Sequence, residues 1–218
     1  HGGFFGALSS EETQAKLGKT FRFLQPGIAF KAYPCPYSSQ RAVDAIIKIA
    51  ERHNVTAEDV VEITCAAAPN TFRVLIHHRP TTSLEAKFCL EYLLASGLAF
   101  KTINEESFEA ARVNDAILRD LVQKVRIVDA ARKREVPGEG EVTVQVRTRT
   151  AVYEETVTYA PGHPKNRLTW ERLVEKYRAC ARRGCLAEAT VADSLEMLSR
   201  IDKIGDLREL SDLFAARK

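Results

Sequence analysis

Arg79-Pro80-Thr81-Thr82-Ser83-Leu84-Glu85-Ala86-Lys87-Phe88-Cys89-Leu90-Glu91-Tyr92 runs directly into Leu93-Leu94-Ala95-Ser96-Gly97-Leu98-Ala99-Phe100. Arg79-Pro80-Thr81-Thr82 reads as a loop, because the residue before a proline is pushed out of helical geometry. Ser83 is placed to cap a helix, and residues 84–100 read as one continuous helix. From Tyr92 to Phe100 that helix carries no charge. A helix that is apolar nearly all round is buried on most of its sides, so it belongs at the centre of a domain.

Working upstream, residues 71–77 read as an extended piece and residues 59–67 as a strand with Val61, Ile63 and Cys65 on one face. Before them, Ser38 or Ser39 can cap a helix running to about His53. Its apolar residues Ala42, Ala45, Ile46, Ile49 and Ala50 recur at the i, i+3, i+4 spacing of one buried face, with Asp44 and Lys48 paired outside it. Residues 27–33 are apolar and extended, and Pro34 and Pro36 forbid a regular element after them. Residues 1–26 read as loop with a short helix at 11–17.

Downstream, two helical pieces are expected near 105–112 and 116–124, then a short strand at 125–129. Val142, Val144 and Val146 alternate with polar residues, as do Tyr153, Val157 and Tyr159, and the two runs read as a hairpin. Residues 160–167 form a Gly/Pro loop shaped by His163 and Asn166. Thr169 caps a helix whose buried face is Trp170, Leu173, Val174 and Tyr177, and helices near 187–201 and 207–216 close the chain. Phe88, Tyr92 and Trp170 read as core. Helices interleaved with strands in this irregular order define an α+β class: a small, mostly antiparallel sheet with packed helices. The whole of 1–218 reads as one domain.

Composition narrows the function. The chain has 218 residues, 45% of them apolar, and a net charge of +3. A globular fold follows, and a nucleic-acid or membrane partner does not, because either footprint needs a basic stripe. Arg132, Lys133 and Arg134, and the pair Arg182 and Arg183, read as solvated surface. Five cysteines with no CxxC spacing imply free thiols in a reducing, cytoplasmic setting. The opening His1-Gly2-Gly3-Phe4-Phe5 has no initiator Met and reads as the middle of a longer chain. No nucleophile elbow, zincin, P-loop or dinucleotide motif occurs. His77 and His78 are adjacent on an expected strand, so they face opposite ways and no metal is expected. Cys35, beside Lys31, is either an activated thiol or a structural one in a rigid turn.

Lys31 is the most informative residue. It interrupts an apolar run, Ile28-Ala29-Phe30-Lys31-Ala32-Tyr33, at the edge of the proline-locked turn. A lysine there would be partly desolvated and poised for an anionic ligand. A snorkelling lysine on a strand fits the same residues.

Three segments carry a resemblance. Phe30-Lys31-Ala32-Tyr33-Pro34-Cys35 with Arg41-Ala42-Val43-Asp44-Ala45 resembles the K-x-Y-P-C … A-I-D-A stretch of the MmgE/PrpD family, which includes 2-methylcitrate dehydratase. Residues 79–92 resemble its R-P-x-T-x-x-E-A-K-F-S-L-x-Y run, and Gly162-His163-Pro164-Lys165-Asn166-Arg167-Leu168-Thr169 its G-x-P-x-N-P-L-T. The resemblance covers nearly the whole chain and maps to the family's lid-type second domain, the carboxyl-terminal one. It implies a missing amino-terminal helical domain, a site in the cleft between the two, a homodimer, and no metal or organic cofactor. The implied substrate is a small di- or tricarboxylate and the implied enzyme a hydro-lyase of propionate metabolism, with decarboxylase and epimerase members as alternatives. Lys31 matches the lysine this domain brings to the cleft, where it would neutralise a substrate carboxylate or a developing enolate. Gln40 stands where members often have His, and His77 lies where decarboxylase-like members have a tyrosine; both are candidates for substrate binding. Most acid–base residues of the family belong to the helical domain, so the isolated chain is expected to be inactive. The rival reading is a non-catalytic binding or dimerisation module.

Overall fold

The computed structural model describes residues 21, 24, 27–69, 71–130 and 140–215. The helix expected at 11–17 and the basic cluster at 132–134 lie outside the described residues. Two compact units divide at Arg167–Leu168.

In the first unit, a 3-10 turn at Tyr37–Ser39 leads into helix α1 (Gln40–Arg52). Its apolar stripe, Ala42, Val43, Ala45, Ile46, Ile49 and Ala50, is buried, and Asp44 pairs with Lys48 at 2.8 Å. Neither serine caps it through its side chain; Ser39 instead donates to the Pro36 carbonyl at 2.8 Å. Strand β1 (Val60–Ala67) follows a capping box between Thr56 and Asp59. Val61 does not share the inner face of Ile63 and Cys65: a register shift between Val60 and Glu62 inserts one residue, so Val60 is buried and Val61 is turned outward. Residues 71–77 are not a strand, because their backbone bonds close locally, from Thr71 N–H to Ala68 O and from Leu75 N–H to Phe72 O.

The helix expected over 84–100 is two helices, α2 (Ser83–Lys87) and α3 (Leu90–Phe100). Thr82, not Ser83, caps the first in a box with Glu85. Cys89 leaves helical geometry and accepts the Tyr92 N–H at its sulfur, which starts the second. Phe88, at this break, is half-buried. Helix α3 is central as its composition requires, with Leu90 and every residue from Tyr92 to Leu98 buried. It packs on α1, and a Cβ at Gly97 would lie 2.9 Å from Ile46 Cγ2, so glycine sets how closely the two helices approach. A short α4 (Ala110–Val113) and α5 (Ala116–Gln123), capped by Asp115, lead to β2 (Val125–Asp129).

Strands β3 (Val142–Thr148) and β4 (Val152–Val157) complete a four-stranded sheet in the order β2-β1-β3-β4. The two pairings on the β3 side are antiparallel and β1–β2 is parallel, so the sheet is mixed and the class is α+β. A parallel pair needs a long crossover, and the helices α2 to α5 provide it. The hairpin turn that lacks Gly and Asn is closed by Thr148, whose hydroxyl accepts from Thr150 N–H and Ala151 N–H. Val142, Val144 and Val146 face the helices and are fully buried. The other face is polar, with Arg126 and Arg147 both on Glu62, and Thr143 on Thr156.

The second unit contains α6 (Trp170–Arg183), α7 (Glu188–Ser199) and α8 (Arg208–Ala215). Thr169 caps α6, and the Tyr177 hydroxyl meets Ser194 Oγ at 2.7 Å. The expected buried face of α6 is only partly covered: Leu173, Val174 and Tyr177 are half-buried and Trp170 is 46% exposed. The α6–α7 hairpin explains it. Tyr177 stands opposite Ser194, so Trp170, seven residues earlier, falls beyond Ser199 where α7 ends.

Candidate functional site

The site is built around Lys31, and the backbone on either side of it is fixed. On one side the Phe30 N–H donates to the Gly162 carbonyl at 2.9 Å. Gly162 has φ +85°, and a Cβ there would sit 2.1 Å from the Phe30 carbonyl oxygen, so no other residue fits without displacing the 27–31 segment. The Gly162 loop is itself braced. Asn166 donates its side-chain amide to the Tyr159 carbonyl at 2.9 Å, and His163 stacks on Tyr159 at 4.9 Å.

On the other side, Ala32 N–H and Tyr33 N–H both donate to Gln40 Oε1 at 3.0 Å. Gln40 Nε2 donates to the Tyr33 carbonyl at 2.9 Å and to Cys35 Sγ at 3.2 Å. One helical turn on, Asp44 Oδ1 accepts from the Tyr33 hydroxyl at 3.2 Å. Helix α1 thus grips the 32–35 turn with two side chains, and Pro34 and Pro36 limit what the turn can do between those grips.

Sequence reading placed Lys31, Gln40 and His77 together as ligand contacts. Lys31 is exposed rather than desolvated, because Ile28, Ala29 and Phe30 beside it are exposed as well. Gln40 is fully buried with both ends of its amide engaged in the turn, which makes it a brace for the Lys31 loop rather than a group facing solvent. His77 is half-buried; its N–H donates to the Phe88 carbonyl at 3.2 Å, fixing its backbone at the end of α2. His78 is turned away, with Nδ1 2.7 Å from Glu91 Oε1.

The choice between an activated and a structural Cys35 is decided by burial. Burial pushes its thiol up to about 11, against weaker lowering by the Ser39 and Gln40 hydrogen bonds and by the charges of Lys31 and Lys87. At neutral pH it is a protonated structural thiol and no nucleophile.

Three groups at this place escaped sequence reading. Lys87 acts on Cys35 together with Lys31, so the second motif contributes a cation to the same neighbourhood; its ammonium is held by Glu105 at 3.1 Å and lies over the Phe108 ring. The Tyr37 hydroxyl and Ser38 Oγ, just ahead of α1, are buried without a hydrogen-bond partner among the described residues. Burial raises the Tyr37 phenol above its ordinary range, partly offset by Arg41. The signal for Lys87 was its place in the Glu85-Ala86-Lys87 motif; nothing in local sequence distinguishes Tyr37 and Ser38 from ordinary cap residues. Among the described residues no group of three His, Cys, Asp or Glu side chains can hold a metal, and no helix is long and apolar enough to cross a membrane.

Fold and site together define an α+β domain that displays a clamped, cationic loop at its surface, at the amino end of a buried helix. The chain belongs to the MmgE/PrpD family: the family's model for the MmgE/PrpD C-terminal domain matches residues 33–202. Lys31 stands two residues before the matched span. The chain is also similar to cis-aconitate decarboxylase of Mus musculus, at 24% identity over 228 residues, covering 97% of this chain and 44% of the mouse protein. It therefore spans less than half the length of that relative.

Proposed function

We propose that this chain is the carboxyl-terminal domain of a lyase acting on a small di- or tricarboxylate, and that it supplies Lys31 to a site completed by a helical domain. The observation that carries this reading is the clamp. Lys31 is exposed, yet the residues before and after it are fixed by Gly162 and Gln40. A cation held in a set position stabilises charge that develops next to it without reorganising. Breaking a bond beside a carboxylate puts negative charge on that group and on the adjacent carbon, which is where an ammonium acts. Lys31 neutralises the carboxylate or the enolate, His77 meets the substrate, and Gln40 acts through the loop it braces. The base that removes the carbon-bound proton comes from the helical domain, since the Cys35 thiol is protonated. On this reading the isolated chain is inactive, and the whole protein is a cytoplasmic homodimer without metal or organic cofactor.

Dehydration of a 2-methylcitrate-like substrate is the first reaction to test. Decarboxylation is the second, favoured by the similarity to the mouse cis-aconitate decarboxylase, and epimerisation the third. A non-catalytic binding or dimerisation module is the competing reading, and the burial of Gln40 favours it by leaving fewer groups at the surface of the loop.

The experiment offers 2-methylcitrate, citrate and cis-aconitate to the full-length gene product and follows alkene absorbance and released carbon dioxide. Turnover by the parent that disappears in Lys31→Ala supports the lyase reading. Absence of turnover on all three moves the assignment to a binding module.

A further inference from the structure

We propose a second anion site in this chain, formed by Arg79 and Arg119 and independent of the Lys31 reading. A pocket of about 230 Å³ opens between the Arg79-Pro80-Thr81 loop and helix α5. Arg79, Thr81, Arg119 and Gln123 are its polar lining residues, and Tyr92, Val113 and Val122 its wall; Lys31, Gln40 and His77 do not line it.

Arg79 and Arg119 both line this small space, and neither forms an ion pair among the described residues. Arg119 donates to a neutral oxygen, Asn114 Oδ1, at 2.6 Å, and Asn114 is itself tied by its side-chain amide to the Ala110 carbonyl at 2.8 Å. That chain orients the guanidinium through neutral partners. The acidic side chains nearest in sequence bond to other groups, Glu85 among them at Thr81 on the edge of the pocket. Asp115 caps α5 through Ile117 N–H and Leu118 N–H, Asp120 pairs with Lys124 at 2.6 Å, and Glu85 accepts from Thr81 N–H and the Thr81 hydroxyl. Arg79 has no ion pair among the described residues.

Two guanidinium forks at one pocket match the oxygens of a carboxylate or a phosphate group. The volume is below that of a drug-sized site, so the ligand is a small oxyanion: one charged group, or two close together, on a short carbon body that lies against Tyr92, Val113 and Val122.

The test measures binding of succinate and of inorganic phosphate by titration calorimetry, in the purified protein and in Arg79→Gln, Arg119→Gln and Lys31→Ala. Both arginines are exposed, so circular dichroism should be unchanged in these variants. Saturable binding of either probe with Kd near or below about 1 mM, weakened at least tenfold by each arginine substitution and retained in Lys31→Ala, carries the proposal. Whichever probe binds more tightly assigns the site to a carboxylate or to a phosphate. Loss in Lys31→Ala with retention in the arginine variants would place the anion at Lys31 and overturn the second site. So would the absence of saturable binding by the parent. Neither result bears on whether the protein turns over a polycarboxylate, which the alkene assay reads separately.

Discussion

Gln40 joins the Lys31 loop to helix α1 through one amide, and removing that amide strands its partners. In Gln40→Ala the Ala32 and Tyr33 N–H groups lose their shared acceptor, the Tyr33 group in a buried place. A buried donor left unsatisfied costs about 1–3 kcal/mol, so the urea midpoint should fall by a corresponding amount; a midpoint unchanged from the parent would show that the brace is dispensable. The brace is invisible in sequence because its bonds span seven and eight positions across a loop and a helix start, whereas Lys31 is legible as a lone charge in an apolar run. The cysteines yield a second prediction at this scale. Burial pushes Cys35 up to about 11 and Cys65 and Cys89 to about 12, while Cys180 and Cys185 are exposed. Alkylation of the native protein at pH 8 should therefore label Cys180 and Cys185 alone, and a third labelled thiol would contradict the packing. The same shifts fix the sign of the pH dependence. Below pH 9.0 the Cys35 thiol is protonated whether the chain is folded or not. Above it the unfolded chain loses the proton first, so this contribution to stability falls between pH 9.0 and about 11.

At the scale of elements, periodicity located most of the described helices and strands but not their joints. The 79–100 stretch shows why. Its apolar content correctly placed a central helix, yet propensity cannot reveal that Cys89 steps out of helical geometry and caps a second one with its sulfur. The bulge in β1 is a similar case: alternation assigned Val61 to the inner face, and one inserted residue reversed it. The contact between α1 and α3 tests how tightly these elements are fitted. Gly97 lies mid-helix, where alanine would ordinarily be better by roughly 1 kcal/mol. Here the added methyl would meet Ile46 Cγ2 at 2.9 Å, on a β-branched side chain that is itself fully buried. Overpacking of this kind costs about 1–3 kcal/mol, enough to cancel or exceed the helical gain. Gly97→Ala should not stabilise the protein and should lower its melting temperature; a rise would mean that α1 can move aside freely.

At the scale of the whole molecule, the mixed sheet could not be read from strand patterns, because whether two strands run parallel depends on where the crossover returns. The family motifs were more informative than the periodicity: the segments around residues 30 and 162 are far apart in sequence and meet at the Phe30–Gly162 bond. That meeting also sets the character of the surface. Isolated exposed apolar residues are ordinary on any protein, but here they adjoin the candidate site. Ile28 and Phe30 precede Lys31 and are 60% and 55% exposed, and Ile76, beside His77, is 68% exposed. If a helical domain covers the Lys31 loop, Ile28 and Phe30 become buried against it, and the 218-residue chain alone leaves them in water. The isolated chain should then enhance the fluorescence of an apolar-surface dye well beyond a globular monomer of equal size. Phe30→Ser should reduce that signal without lowering the thermal midpoint, because the side chain has little core to leave. In the full-length protein the same substitution should loosen the domains and raise dye binding instead. A dye signal from the isolated chain no higher than that of an ordinary monomer would argue that this side faces solvent in the working protein, and with it that Lys31 has no second domain to work against.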